Sequence, residues 1–468
     1  VELTLAFTDP GFDKYPRPTR AHFVTMIAYD PDLDVRVAFP PLQEIRDTLG
    51  EVVSRHGLRQ VKVVESEKAV HVGYFLNGKR KEPFPGEERV IVPSPHGGDY
   101  TQVPEMNARG VAQATIQALA DPTARLVIVN FANVDVVGHS EDAEAIKRAV
   151  AEVDRCLGQV VAAAQAQGVV PLVTADHGTV ERWLYPDGVI DTGHTASPVP
   201  FVVASPALAH IPLRRGGALT DVAPTVLRLL GLPQPQVMTG RPLFQEALPG
   251  PFARVLLVIL DGWGVNDDTW GNLIAAAETP VMDRLLAQFP HTRLAASGEA
   301  VGLAPGAVGN SEVGHLHLGA GRLIPSDRVR VDAAIADGSF FRNEAFLWAM
   351  ERAREEGRRL HLLGIVSFYS SHGSVDHLLA LMRMAKEQGV PEVYIHGMLG
   401  RRGERPESGA AYVQMIEEEA ERLRVGVMAS VIGRFWSLDR EGNWDRIARS
   451  YRWLTEGHGR PVPDHRRP

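Results

Sequence analysis

Along this chain, apolar β-branched runs alternate with amphipathic stretches of helical period nearly throughout, the pattern of an α/β protein. "RLVIVNFANVD" (125–135) reads as a buried strand running into a loop, and "EDAEAIKRAVAEVDRCLGQVVAAAQAQG" (141–168) as a helix with a glycine stop. "VVPLVTADHG" (169–178) is the next strand and ends in an Asp-His pair, while "RVLLVILDGWG" (254–264) is a third and ends in Asp261. In open α/β sheets the carboxyl ends of the strands form the ligand crevice, so three strands delivering an aspartate to that edge point to a site there. "LFQEALPGPFAR" (243–254), with its Pro-Gly-Pro, predicts a linker. A second α/β series starts near residue 340. It comprises a helix over 344–356, the strand "RRLHLLGIVS", a helix over 376–389, the strand "PEVYIHGML" and helices over 410–424 and 442–455. The tail "EGHGRPVPDHRRP" is expected to be disordered.

Composition narrows the function class. With 468 residues there is room for two or three domains, and 44% hydrophobic with 23% charged residues is ordinary for a soluble globular protein. A formal net charge of −8 argues against a broad nucleic-acid surface. The single cysteine, Cys156, excludes an intrachain disulfide, agrees with a reducing compartment and reads as a small buried residue. The first residues do not read as a signal peptide, and no run approaches the roughly 20 apolar residues that span a bilayer. The expectation is a soluble, cytoplasmic protein with neither nucleic acid nor membrane as partner.

The chemistry-bearing residues lie beside glycines or at strand ends. Asp135 and His139 stand four apart in "NVDVVGH", Asp176 and His177 are adjacent in "TADHG", and His194 follows in "DTGHT". Asp261 ends its strand in "LDGWG", and Ser311 opens "SEVGH". Mixed carboxylate and imidazole ligation suits Mn²⁺, Zn²⁺ or Mg²⁺ better than a thiolate-seeking metal. Seven candidate ligands exceed what one ion needs, so two ions sharing a nucleophile is the natural count, and two metals roughly 4 Å apart suit phosphoryl transfer. No G-x-S-x-G elbow surrounds Ser311, and the neighbouring His315 does not by itself make a triad. A cation on the serine oxygen would replace the general base by lowering the pKa of the hydroxyl.

"LDGWG", "GNSEVGH", "NVDVVGHS", "TADHG" and "DTGHT" together resemble the metal-site motifs of the cofactor-independent (2,3-bisphosphoglycerate-independent) phosphoglycerate mutases of the alkaline phosphatase superfamily. "VPSPHGGDYTQVPEM", "GGALTDVAPTVLRLLGLPQP" and "RFWSLDREGNWDR" also resemble that family, so the likeness runs over nearly the whole chain. It implies an alkaline-phosphatase-like metal domain with a central, mostly parallel sheet over 44–325, which includes the linker, and a second α/β domain made of 326–468 plus 1–43 that binds substrate. It implies that Ser311 is phosphorylated in turn, with one ion on Asp135, His139 and His194 and the other on Asp261, Ser311, Asp176 and His177. Lys68, in "ESEKAVH", would stabilise the phosphoryl group, and His372, Arg402, Arg434 and Arg440 would hold phosphoglycerate; arginine forks suit its carboxylate and phosphate. The implied cofactors are two divalent ions, Mn²⁺ ahead of Mg²⁺, Co²⁺ or Zn²⁺, with no 2,3-bisphosphoglycerate. The implied partner is a small phosphorylated hydroxy acid, and the implied state a monomer. The reaction would interconvert 3- and 2-phosphoglycerate in glycolysis and gluconeogenesis, in a cleft closed against water.

The sequence departs from that family in order and in detail. The half bearing "TADHG" precedes the half bearing "LDGWG", which reads as a circular permutation joined through "EALPGP". The family's Arg-x-x-Arg clamp, expected just before "LTLAFTDP", is absent from both ends of this chain; Gly403 stands for an aspartate, "FYSS" (368–371) for a glycine-rich turn, and Thr179 for an asparagine. All but the last fall in the substrate domain. They leave two further readings open: a metal-dependent phosphohydrolase that resolves the phosphoserine with water, and a non-catalytic metal-binding remnant.

Overall fold

The computed structural model describes residues 2–9, 11–16, 21–30, 32–42, 44–95, 99–355, 358–367, 373–400, 408–439 and 443–461. The chain packs as two units, one of residues 42–326 and one of 1–41 together with 327–468.

The 42–326 unit is built on an eight-stranded sheet. From one edge its strands run Glu87–Val92, Arg59–Glu65, Ala124–Phe131, Val255–Leu260, Val170–Thr174, Val199–Val203, His291–Ala295 and Gly217–Ala218. The first five are parallel to one another; Val199–Val203 runs antiparallel to both its neighbours. The central strands are fully buried, "VLLVIL" at every position, as a parallel sheet covered on both faces requires. Helix Ala143–Ala166 returns the chain from Ala124–Phe131 to Val170–Thr174. Asp142 caps it by accepting from the Ala145 amide at 3.0 Å, and Ile146, Ala149, Val150, Val153, Leu157, Val160 and Ala164 form its buried stripe, with Cys156 among them. Val255–Leu260, from a much later part of the chain, is inserted between those two strands.

One local expectation needs correction. The segment after Phe131 is a short helix, Asn133–Gly138, rather than a loop. One helical turn sets residues four apart on the same face, which brings His139 to Asp135. The 243–254 stretch is irregular and exposed or half-buried over most of its length, as a linker should be, and is pinned at both ends: Leu243 and Phe244 are buried in the core, the Arg214 amide donates to the Leu243 carbonyl, and the Phe252 amide to the Leu229 carbonyl. Its Pro249-Gly250-Pro251 lies at the surface, with both prolines exposed.

The other unit holds a parallel sheet of Leu360–Val366, Val393–Leu399 and Val427–Gly433, and a two-stranded parallel pair, Val24–Ile27 with Arg36–Phe39. Helices Glu344–Glu355, Val375–Glu387, Ser408–Leu423 and Trp444–Glu456 lie where the periodicity predicts them to within a few residues. Helix Glu2–Thr8 joins the last of these over Ile365 and Met398, through Leu3, Ala6, Ile447 and Tyr451. Of the tail, residues 462–468 lie outside the described residues.

Candidate metal centre

Parallel strands align their carboxyl ends, and four adjacent ones in the larger unit deliver side chains to one place. Arg59–Glu65 leads through the turn Ser66–Lys68 to Lys68, Ala124–Phe131 to Asp135, Val255–Leu260 to Asp261, and Val170–Thr174 to Asp176 and His177. Ser311 is the first residue of helix Ser311–Ala320; the Asn310 side chain caps that helix by accepting from the Val313 amide at 2.9 Å. Two glycines allow the segments to close up. Gly262 has φ +83°, and a Cβ there would sit 2.8 Å from the Asp135 N and Cα; a Cβ on Gly314 would sit 2.5 Å from the Asp176 carbonyl oxygen.

Lys68 lies at the centre, 4% exposed. Its Nζ donates to Asp135 Oδ2 at 2.6 Å, Asp261 Oδ1 at 2.7 Å and Ser311 Oγ at 2.7 Å. On one side, Asp135 Oδ1, His139 Nε2 and His194 Nε2 form a triangle with edges of 3.4, 3.2 and 3.2 Å. On the other, Ser311 Oγ stands 3.0 Å from His177 Nε2 and 3.1 Å from Asp261 Oδ1, with those two atoms 3.5 Å apart and Asp176 Oδ2 3.7 Å from His177 Nε2. The sides adjoin, since His177 Nε2 is 3.6 Å from Asp135 Oδ1 and the His177 and His194 rings stack at 4.1 Å. An ion with bonds of about 2.1 Å keeps its ligand atoms roughly 3.0–3.4 Å apart, close to most of these separations.

The surrounding hydrogen bonds prepare the imidazoles as ligands. Nδ1 of His139 donates to the Thr192 carbonyl at 2.8 Å, Nδ1 of His194 to the Gly309 carbonyl at 2.9 Å, and Nδ1 of His177 to the Gly178 carbonyl at 3.2 Å. In the neutral rings each Nε2 therefore carries a lone pair pointing into the site. Two such lone pairs facing each other at 3.2 Å, as in His139 and His194, repel unless a proton or a cation lies between them. Asp176 Oδ2 makes the same point: it is buried, lies 3.1 Å from His315 Nδ1 without the alignment of a hydrogen bond, and accepts none. The donor set fits a divalent cation.

The charges agree. Burial works against the Lys68 ammonium, but Asp261, Asp135 and Asp176 outweigh it and hold the group well above the ordinary lysine range. Burial likewise opposes ionised Asp135 and Asp261, yet Lys68, with His177, holds both carboxyls far below theirs. Burial disfavours charged His177, but Asp176, Asp135 and Asp261 push its pKa up to about 10. His139 is raised too, mainly by its hydrogen bond to Asp135. In the ion-free site, protons and one ammonium balance three carboxylates.

All seven ligand candidates and Lys68 thus meet in the larger unit. Of the residues expected to hold substrate, Arg434 opens the short helix Arg434–Ser437 in the other unit, its aliphatic stem beside Gly400. His372, Arg402 and Arg440, like Gly403 and the 368–371 turn, lie outside the described residues. Sequence reasoning gave no role to Asn130, whose Nδ2 donates to Asp261 Oδ2 at 2.8 Å, or to Glu181, fully buried and accepting from the Thr179 amide at 2.9 Å and from the Thr195 hydroxyl. An asparagine within the apolar run "LVIVNF" was the available signal for the first. Thr179 stands beside the site, its Oγ1 3.4 Å from Asp135 Oδ1.

Two family models match separate stretches of the chain. Residues 21–234 match the Metalloenzyme superfamily, and residues 331–466 match the BPG-independent PGAM N-terminus. Over 255 residues, 53% of this chain and 48% of the relative, the chain is 45% identical to the 2,3-bisphosphoglycerate-independent phosphoglycerate mutase of Thermosynechococcus vestitus. It is 47% identical over 205 residues to the protein of the same name from Moorella thermoacetica, covering 44% of this chain and 40% of that one. A crystal structure of Leishmania mexicana phosphoglycerate mutase at low cobalt concentration aligns at 29% identity and a TM-score of 0.43, over 52% of this chain and 48% of that chain. The chain spans about half the length of the relatives it matches. Among the described residues, no helix is long and apolar enough to cross a membrane.

Proposed function

We propose that this chain, a member of the 2,3-bisphosphoglycerate-independent phosphoglycerate mutase family, interconverts 3-phosphoglycerate and 2-phosphoglycerate through a phosphoserine at Ser311. The observation that carries this reading is the setting of the Ser311 hydroxyl, within 3.1 Å of Lys68 Nζ, His177 Nε2 and Asp261 Oδ1 and inside a set of seven ligand atoms. Asp135, His139 and His194 would hold one divalent ion, and Asp176, His177, Asp261 and Ser311 the other, with Mn²⁺ the first choice. When bound, the cations supply Lewis-acid stabilisation of the serine oxygen and of the phosphoryl oxygens.

The chain's own residues do the rest. Ser311 Oγ gives up its proton and forms a bond to phosphorus as the ester bond to the glycerate 3-oxygen breaks; that oxygen takes up a proton, leaving phosphoserine and glycerate. Lys68, locked by two carboxylates, directs its ammonium at Oγ and neutralises charge on the phosphoryl group as it passes. The positive end of helix Ser311–Ala320 favours negative charge at the same atom. In the return step the glycerate 2-hydroxyl loses its proton as its oxygen attacks phosphorus, and the bond to Ser311 Oγ breaks, with Oγ regaining a proton. Arg434, with His372, Arg402 and Arg440, would hold the glycerate between the half-reactions. We read the chain order as permuted, because the model described as the family's N-terminus matches residues 331–466, after the metalloenzyme match.

The test is an assay of the full chain with 3-phosphoglycerate and Mn²⁺, without 2,3-bisphosphoglycerate, counting 2-phosphoglycerate against inorganic phosphate. Formation of 2-phosphoglycerate as the main product is expected. Inorganic phosphate as the main product would establish the phosphohydrolase reading, which Gly403 favours.

A further inference from the structure

His315 stands four residues after Ser311 but is no base for it: the ring is fully buried, and its Nδ1 donates to the Ser311 backbone carbonyl at 2.9 Å. Its other nitrogen meets Asn130, whose Nδ2 lies 3.0 Å from His315 Nε2 and 2.8 Å from Asp261 Oδ2. The assignment of protons follows in one direction. The Asp261 carboxylate can only accept, so it fixes the nitrogen end of the Asn130 amide toward the site. That amide then has its second N–H for His315, so Nε2 of the ring carries the lone pair and Nδ1 the proton. The Nδ1–H points to the Ser311 carbonyl, with Asp176 Oδ2 3.1 Å away. One amide and one ring therefore join two of the four groups on a single side of the centre, Asp261 and Ser311, all with no exposed surface or nearly none.

We propose that Asn130 and His315 are positioning residues that hold Asp261 and Ser311 as one rigid pair and thereby retain the cation on that side of the centre. The Asp135–His139–His194 side has its own supports, the Thr192 and Gly309 carbonyls, and does not depend on the pair. This inference rests on the reading of the centre as a two-ion site.

The experiment uses the full chain, stripped with EDTA and titrated with Mn²⁺ by calorimetry, with electron paramagnetic resonance reporting coupling between ions. Wild type is expected to take up two ions that give a coupled spectrum. In His315→Phe and Asn130→Ala one ion should weaken by about 10–100-fold, the usual loss when a partner of a metal ligand is removed, while the other stays within about twofold and the coupled spectrum disappears. His315→Asn, which can restore an N–H where Nδ1 stood, should recover part of the loss; a purely structural role for the ring would not give that rescue. Variants with native circular dichroism that bind both ions as wild type does, or lose both alike, overturn the proposal. Should His315→Phe not fold, Asn130→Ala decides by the same criteria. Fewer than two ions in the wild type would instead sink the two-ion reading, and this inference with it.

Discussion

Lys68→Met removes the ammonium at the centre of the site and nothing of comparable bulk. In the ion-free protein, Asp135 and Asp261 then lose a donor at 2.6 and 2.7 Å, and no water can replace it in a pocket where Lys68 is 4% exposed. Breaking a buried ion pair from one side costs about 3–5 kcal/mol. For a domain of this size, each kcal/mol moves the melting temperature by roughly 2–4 °C, so the stripped variant should melt roughly 6–20 °C below wild type at pH 8. The pH dependence has a definite sign. Lys68 holds the two carboxyls low, so their contribution is present above the unfolded carboxylate range and fades as pH falls below it; the gap between wild type and variant should therefore shrink below about pH 4. Mn²⁺ should raise the melting temperature of the variant more than that of wild type, because a cation restores the missing positive charge. Differential scanning calorimetry in EDTA and in saturating Mn²⁺ measures all three quantities. A stripped variant melting within about 1 °C of wild type at pH 8, or equal Mn²⁺ shifts in the two proteins, would refute the electrostatic account.

Further expectations concern single groups. Ser311→Ala should abolish the acid-stable phosphoenzyme, followed with ³²P-labelled phosphoglycerate, while the Asp135–His139–His194 side still binds Mn²⁺ in calorimetry. With its pKa raised to about 10, His177 stabilises the ion-free fold fully below about pH 6.5 and loses that contribution as pH rises to about 10; the same proton competes with metal, so Mn²⁺ affinity should climb with pH across that window, up to about tenfold per unit. Calorimetry in buffers of different ionisation enthalpy would show the released proton, and a flat affinity would count against it. Gly262→Ala, with φ +83° and a Cβ 2.8 Å from the Asp135 backbone, should lower stability by more than about 1 kcal/mol and weaken metal binding together; unchanged melting would show that the loop has slack.

Much of this protein is written locally. Alternating strand and helix periods announce an α/β chain because burial of a helix stripe or a strand face is decided by residues a few positions apart. The Asp, His and Ser candidates were legible because each sits by a glycine or at the end of an apolar run, where a parallel sheet opens to ligand. Tertiary structure alone decided how they combine. Lys68, Asp135, Asp261 and Asp176 are neighbours only because Val255–Leu260 is inserted between Ala124–Phe131 and Val170–Thr174, a pairing of segments far apart in the chain. The contact of Asn130 with Asp261, the tautomers set by the Thr192, Gly309 and Gly178 carbonyls, and the burial of Leu243 and Phe244 have the same origin. Hydrogen bonds and ion pairs between distant segments leave no period in the sequence; they exist only once the sheet has brought its strand ends together.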